Sequence, residues 1–173
     1  MESELKAIAI GVLVLTGAAC ANNAQMQVPA RLQTGANEVL AMVVPARGVQ
    51  IYECRAKKGA AAGREWVFVA PEAELFDLRG NPVGRHGAGP YWQAADGSKV
   101  LGTVKERADA PVAGAIPWLL LAARPTGPEG SFSKVSSIQR VNTVGGVAPS
   151  AECTGDAPLR VSYTADYYFF TQR

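Results

Sequence analysis

The last segment of the chain, residues 159–171, alternates in polarity with a period of two. Val161, Tyr163, Ala165, Tyr167 and Phe169 fall on one face, and Arg160, Ser162, Thr164, Asp166 and Tyr168 on the other. Successive side chains of a strand point to opposite sides, so this pattern predicts a long, half-buried β-strand. Shorter extended runs precede it at residues 39–44, 49–56, 66–70, 75–78, 91–94, 99–106, 116–123 and 132–142. Turn residues separate them. Pro45 to Gly48 predicts a turn between the first two runs, and Pro71 is expected to end the third. Arg79-Gly80-Asn81-Pro82 reads as a turn, and Asp96-Gly97-Ser98 is the strongest hairpin signal in the chain. A brief helix is expected around residues 72–76. Eight or nine strands spaced by turns predict an all-β, single-domain antiparallel β-sandwich or β-barrel.

The N-terminus departs from this pattern. After Lys6 comes an unbroken run of small and apolar residues over positions 7–19. It is shorter than the roughly 20 residues that span a bilayer, and it reads as the apolar region of an export signal. Glu2 and Glu4 nearly neutralise the segment before it, which is usually positive. Ala19 and Ala21 are suited to cleavage after Ala21, giving a signal over residues 1–21, a polar leader over 22–37 and one domain over 38–173. The alternative is lipidation of Cys20, as in bacterial lipoproteins, although Gly17 stands where Leu is usual. The expected location is periplasmic or extracellular, with membrane association only through a lipid on Cys20.

Cleavage removes one of the three cysteines. Cys54 and Cys153 remain as an even pair, and in an oxidising compartment a disulfide is the expectation, with free thiols or a metal site as alternatives. A metal is disfavoured, because the chain has a single histidine and no CxxC pair.

Composition adds exclusions. An apolar fraction of 48% with 18% charged residues describes a folded chain, and 18 glycines with 11 prolines favour turns over long helices. The formal net charge is +2; loss of Lys6, Glu2 and Glu4 with the signal makes it +3. The cations form no stripe, so nucleic acid is not an expected partner. No Gly-rich phosphate motif or nucleophile elbow is present, and no cofactor is expected.

Two kinds of residue could carry chemistry. His86 lies in a Gly-rich stretch, Gly84-Arg85-His86-Gly87-Ala88-Gly89, read as a loop. It could act as a general base or ligand with Glu53, Asp77, Asp96 or Asp166, and Asp96 is the second catalytic candidate. The plainer reading is a histidine bonded to neighbouring backbone. Among the aromatics, Trp66, Trp92, Trp118 and the cluster from Tyr163 to Tyr168 could form a stacking platform or an apolar pocket, or simply fill the core. Trp92, flanked by loop-like residues, is the one expected to be exposed, and it joins His86 as a ligand-binding candidate. Arg140 could meet an anion, but pairing with a carboxylate is the expectation.

The segments GVQIYECRA, WVFVAPEAEL, VGRHGAGPYW, DGSKVLGTV, IPWLLLAA, IQRVNTVGGVAP and YTADYYFF together resemble the secreted bacterial and fungal proteins of the domain-of-unknown-function 3455 family. The resemblance runs over residues 39–170. It implies a single exported domain and places Cys54 and Cys153 at the positions of the family's cysteine pair. In one respect the chain departs: Gly87 stands where an aromatic would follow the histidine. The resemblance brings no reaction with it. The sequence therefore points to a non-enzymatic binding or structural module whose partner is a surface polymer or small ligand. The rival is a hydrolase-like enzyme using His86 with a carboxylate.

Overall fold

Alternation along the chain closes a sheet on itself. The structure, a computed structural model, describes residues 27–59 and 63–173; the segment read as an export signal and Cys20 lie outside them. Eight antiparallel strands form a closed barrel in chain order: β1 (Glu38–Ala56), β2 (Arg64–Phe76), β3 (Pro82–Gly87), β4 (Tyr91–Ala94), β5 (Lys99–Ala108), β6 (Trp118–Pro125), β7 (Val135–Gly145) and β8 (Leu159–Gln172). Closure comes from β1, which pairs with β8 from Glu38 to Tyr52 and with β2 from Ala46 to Ala56. Every strand then has two partners, and no edge is left open. The period-two face of β8 points inward as expected: Tyr163, Ala165, Tyr167 and Phe169 are all buried.

Three local expectations are corrected. The turn at Pro45 to Gly48 does not exist; β1 runs straight through it, with Pro45 opposite Asp166 and Gly48 opposite both Tyr163 and Ala73. Gly48 is there for close approach, since a Cβ would strike the Glu72 carbonyl and Ala73 Cα. Pro71 does not end its strand. It pairs with Gln50 beside a register shift at Ile51/Tyr52, where the ladder is already interrupted. The helix expected over residues 72–76 is instead the end of β2, with Ala73 and Leu75 buried and Glu72 and Glu74 exposed. Glu and Ala favour helices, but the pairing of this segment with β1 and β3 overrides that weak preference.

Apolar side chains fill the interior, while exterior strand positions carry Glu65, Glu72, Glu74, Lys105 and Arg160. A membrane-spanning barrel has the opposite polarity, with its apolar band outside. One exterior region is apolar. Leu32, in the 3-10 turn Ala30–Leu32, packs on Ala108, Trp118, Leu120 and Val141, and Gln139 donates to the Leu32 carbonyl at 2.6 Å. Part of the segment read as a leader thus lies against the outer wall.

The Cys54–Cys153 disulfide is present, with its Cα atoms 5.6 Å apart. It ties the end of β1 to the connection between β7 and β8, across a separation of 99 residues.

Candidate functional site

The stretch read as a Gly-rich loop is a β-hairpin. His86 lies in β3 and pairs directly with Trp92 in β4, so both side chains emerge on the same, inward side. Trp92 is 1% exposed, which corrects the expectation that it stands out from the surface. Its indole stacks on the imidazole at 4.4 Å between ring centres, and Tyr167 of β8 meets both rings at 5.1 and 5.2 Å. Room for the indole comes from Gly102 of β5, where a Cβ would lie 2.7 Å from a Trp92 ring carbon.

His86 is 4% exposed. Burial pushes its pKa down to about 4, the Arg140 charge adds to this, and the hydrogen bond with Tyr91 opposes it. The ring is neutral near pH 7. Its Nδ1 lies 2.7 Å from the Tyr91 carbonyl, which can only accept, so Nδ1 carries the proton and Nε2 presents a lone pair.

None of the four carboxylates considered as partners hydrogen-bonds this imidazole. Asp96 accepts from the backbone and hydroxyls of Ser98 and Ser131, clamping the β4–β5 turn to the segment before β7. The Ser98 hydroxyl, followed by the Ser131 bonds, holds Asp96 well below the usual carboxylate range. Glu53 pairs with Arg55, Asp77 caps the backbone of the turn after β2, and Asp166 accepts from Asn142. Trp118 belongs to the outer apolar region, apart from His86 and Trp92.

His86, Trp92, Trp66 and Tyr167 line a cavity of about 910 Å³. Its walls are mostly apolar, with Ile116, Leu119 and Leu121 contributed by β6 and the residues before it. Phe68, Val69, Val104 and Val147 also line it and are 42–51% exposed, so the lining reaches the surface as an apolar rim. Val147 belongs to the connection that Cys153 ties to β1, and Tyr52 fixes the same connection by donating to the Gly146 carbonyl at 2.6 Å.

Two further polar residues matter here: Gln50, not singled out in the sequence, and Arg140, named there as a residue that could meet an anion. Gln50 is 3% exposed, and among the described residues its Nε2 has no hydrogen-bond partner; neither has Trp92 Nε1. The signal for Gln50 is its position, two residues before Tyr52 and four before Cys54, on the buried parity of β1. Arg140 lines the cavity and does not find the carboxylate expected for it. Its Nε and Nη2 donate to the Pro117 carbonyl at 3.1 and 2.8 Å, and among the described residues it is in no ion pair. The described residues hold no group of three side chains suited to a metal ion.

No curated protein matches the chain. A family model described as a protein of unknown function (DUF3455) matches residues 35–171, nearly all of the barrel and the whole of the cavity lining. The chain belongs to the DUF3455 family.

Proposed function

We propose that the protein is a binding module, not an enzyme, and that its ligand is a small, largely apolar molecule held in the barrel cavity. The observation that carries this reading is the cavity itself. A volume of about 910 Å³ lies near the top of the range typical of small-molecule sites, roughly 300–1,000 Å³. Its apolar rim would be an unexplained exposure on a chain with no ligand. His86 supports binding over turnover: it lacks a carboxylate partner among the described residues, and it has no proton to donate from Nε2 near neutral pH. On this reading His86 and Trp92 are ligand contacts, and Asp96 holds the fold together.

A neutral apolar fluorophore such as N-phenyl-1-naphthylamine tests the reading. It should bind saturably at one site per chain. Val69→Trp, at an exposed rim position, should weaken that binding without lowering the melting temperature; absence of saturable binding sinks the proposal.

We also propose that the protein is exported and works in an oxidising compartment, soluble after cleavage following Ala21. The support is the apolar run over residues 7–19 together with the disulfide. Intact mass of the envelope or secreted form decides this. A chain starting at Asn22 fits soluble export, a diacylglyceryl mass on Cys20 replaces it with a lipid anchor, and retention of residues 1–21 overturns both.

A further inference from the structure

The polar groups facing the cavity are unevenly matched, and the imbalance has a sign. Buried donors and acceptors in folded proteins almost always have partners, because an orphaned group has lost water and gained nothing. Three buried side-chain atoms break that rule among the described residues, and all three are N–H donors: Gln50 Nε2, Trp92 Nε1 and Trp118 Nε1. Trp118 belongs to the outer apolar region, whereas Gln50 and Trp92 both line the cavity. Arg140, the cation beside them, donates to the neutral Pro117 carbonyl, also acts on the Tyr167 hydroxyl, and is in no ion pair among the described residues.

These groups are neighbours through one pair of tyrosines. The Tyr163 and Tyr167 hydroxyls lie 3.4 Å apart. Arg140 is opposite Tyr167 across the β7–β8 ladder, and its charge reaches Tyr52, His86, Tyr163 and Tyr167. The Gln50 amide approaches the Tyr163 hydroxyl without reaching hydrogen-bond geometry, and the Trp92 indole packs edge-on against Tyr167. One wall of the cavity is therefore rich in donors and positive, and the remainder is mostly apolar, with the exposed Arg107 also in the lining.

We infer that this wall receives the carboxylate of an amphiphilic monocarboxylic acid, with Arg140 as the charge partner, Gln50 Nε2 and Trp92 Nε1 as neutral donors, and the acid's apolar body filling the rest of the cavity. The inference rests on the binding reading above and names the class of ligand. A carboxylate accepts without donating, which suits unpartnered N–H groups, and a guanidinium matches its planar geometry. Arg140, the half-buried cation of this wall, balances one negative charge; Arg107 also lines the cavity but is exposed to solvent. A phosphate dianion would leave a second charge uncompensated in an apolar enclosure, and that is costly.

The experiment uses the full mature chain with its disulfide intact and bound N-phenyl-1-naphthylamine as the reporter. Dodecanoate and methyl dodecanoate, which differ only at the head, are titrated as competitors below their aggregation concentrations. The expected result is displacement by the acid at least about tenfold more effectively than by the ester, the size of one charge-assisted hydrogen bond. Arg140→Met should remove that preference, weakening the acid at least about tenfold more than the ester. Because Arg140 also holds the Pro117 carbonyl, Gln50→Leu serves as the second variant. It removes an orphan donor, should fold at least as well as the parent, and should weaken the acid several-fold more than the ester. Equal displacement by acid and ester, or an undiminished preference in a folded Gln50→Leu or Arg140→Met variant, overturns the carboxylate site and leaves the apolar cavity standing. If the reporter itself does not bind, the binding reading falls and this inference falls with it.

Discussion

Acidification from pH 7 to pH 5 should destabilise the protein mainly through one residue. His86 is the only histidine in the chain, so no other imidazole titrates in this window. Burial first, and then the Arg140 charge, hold its pKa at about 4 in the fold, against 6.5 as the ordinary value. The sign follows from which state takes the proton. Between those two values the unfolded chain is protonated while the folded one stays neutral, so stability is full above the unfolded pKa and declines as pH falls towards the folded one. A shift from 6.5 to about 4 corresponds to about 3 kcal/mol over the whole window, and roughly 2 kcal/mol of that is lost between pH 7 and pH 5. For a domain of this size the melting temperature should fall by about 5–10 °C. Asp96, held low by its serine bonds, contributes only at more acidic pH. The assay is a set of melting curves between pH 7 and pH 5 for the parent and for His86→Phe, which keeps a flat ring against Trp92 but cannot titrate. The variant should be less stable at pH 7, having lost the bond to the Tyr91 carbonyl, yet nearly flat across the window. Equal slopes for parent and variant would refute a buried, neutral His86.

Other perturbations test the remaining contacts. Leu32→Ala removes a fully buried side chain from the outer apolar region and should cost about 2–5 kcal/mol by denaturant titration; a loss below roughly 1 kcal/mol would mean that the segment before β1 does not hold to the barrel. Reducing Cys54–Cys153 opens a loop of 99 residues and should lower stability by up to about 4.7 kcal/mol, with an unchanged melting curve counting against any structural role. Asp96→Ala strips four hydrogen bonds from the β4–β5 turn and its neighbour, so it should lower the melting temperature while leaving reporter affinity unchanged. A loss of affinity at unchanged stability would instead return Asp96 to the binding site.

Much of the barrel was legible in local chemistry, and what escaped was decided by distant contacts. The alternation of β8 and the Asp96-Gly97-Ser98 hairpin are short-range signals, and both are as read. The cysteine pair needed only a compartment and an even count. By contrast, Pro45 and Gly48 look like a turn in isolation. Only the neighbouring strands show that Gly48 is there because Ala73 and Glu72 press against it. The hairpin of β3 and β4 hid in the same way, because its glycines read as a loop although a Cβ at Gly84 would strike the Gln93 carbonyl. That misreading also placed Trp92 outside. His86 and Trp92 were singled out together and do stack, but Asp96 lies elsewhere, because proximity along the chain does not bring its carboxylate to the barrel interior. Gln50 and Arg140 could be located on strands, yet their missing partners become visible only when every neighbour is known.

The central claim is that the barrel interior is a ligand site, and a crystal structure of the disulfide-intact protein with N-phenyl-1-naphthylamine tests it most directly. The account predicts one molecule inside the cavity, its rings against Trp92 and Tyr167 and its exit bounded by Phe68 and Val147. A probe found only on the outer surface, with the cavity closed by rearranged side chains, would contradict it.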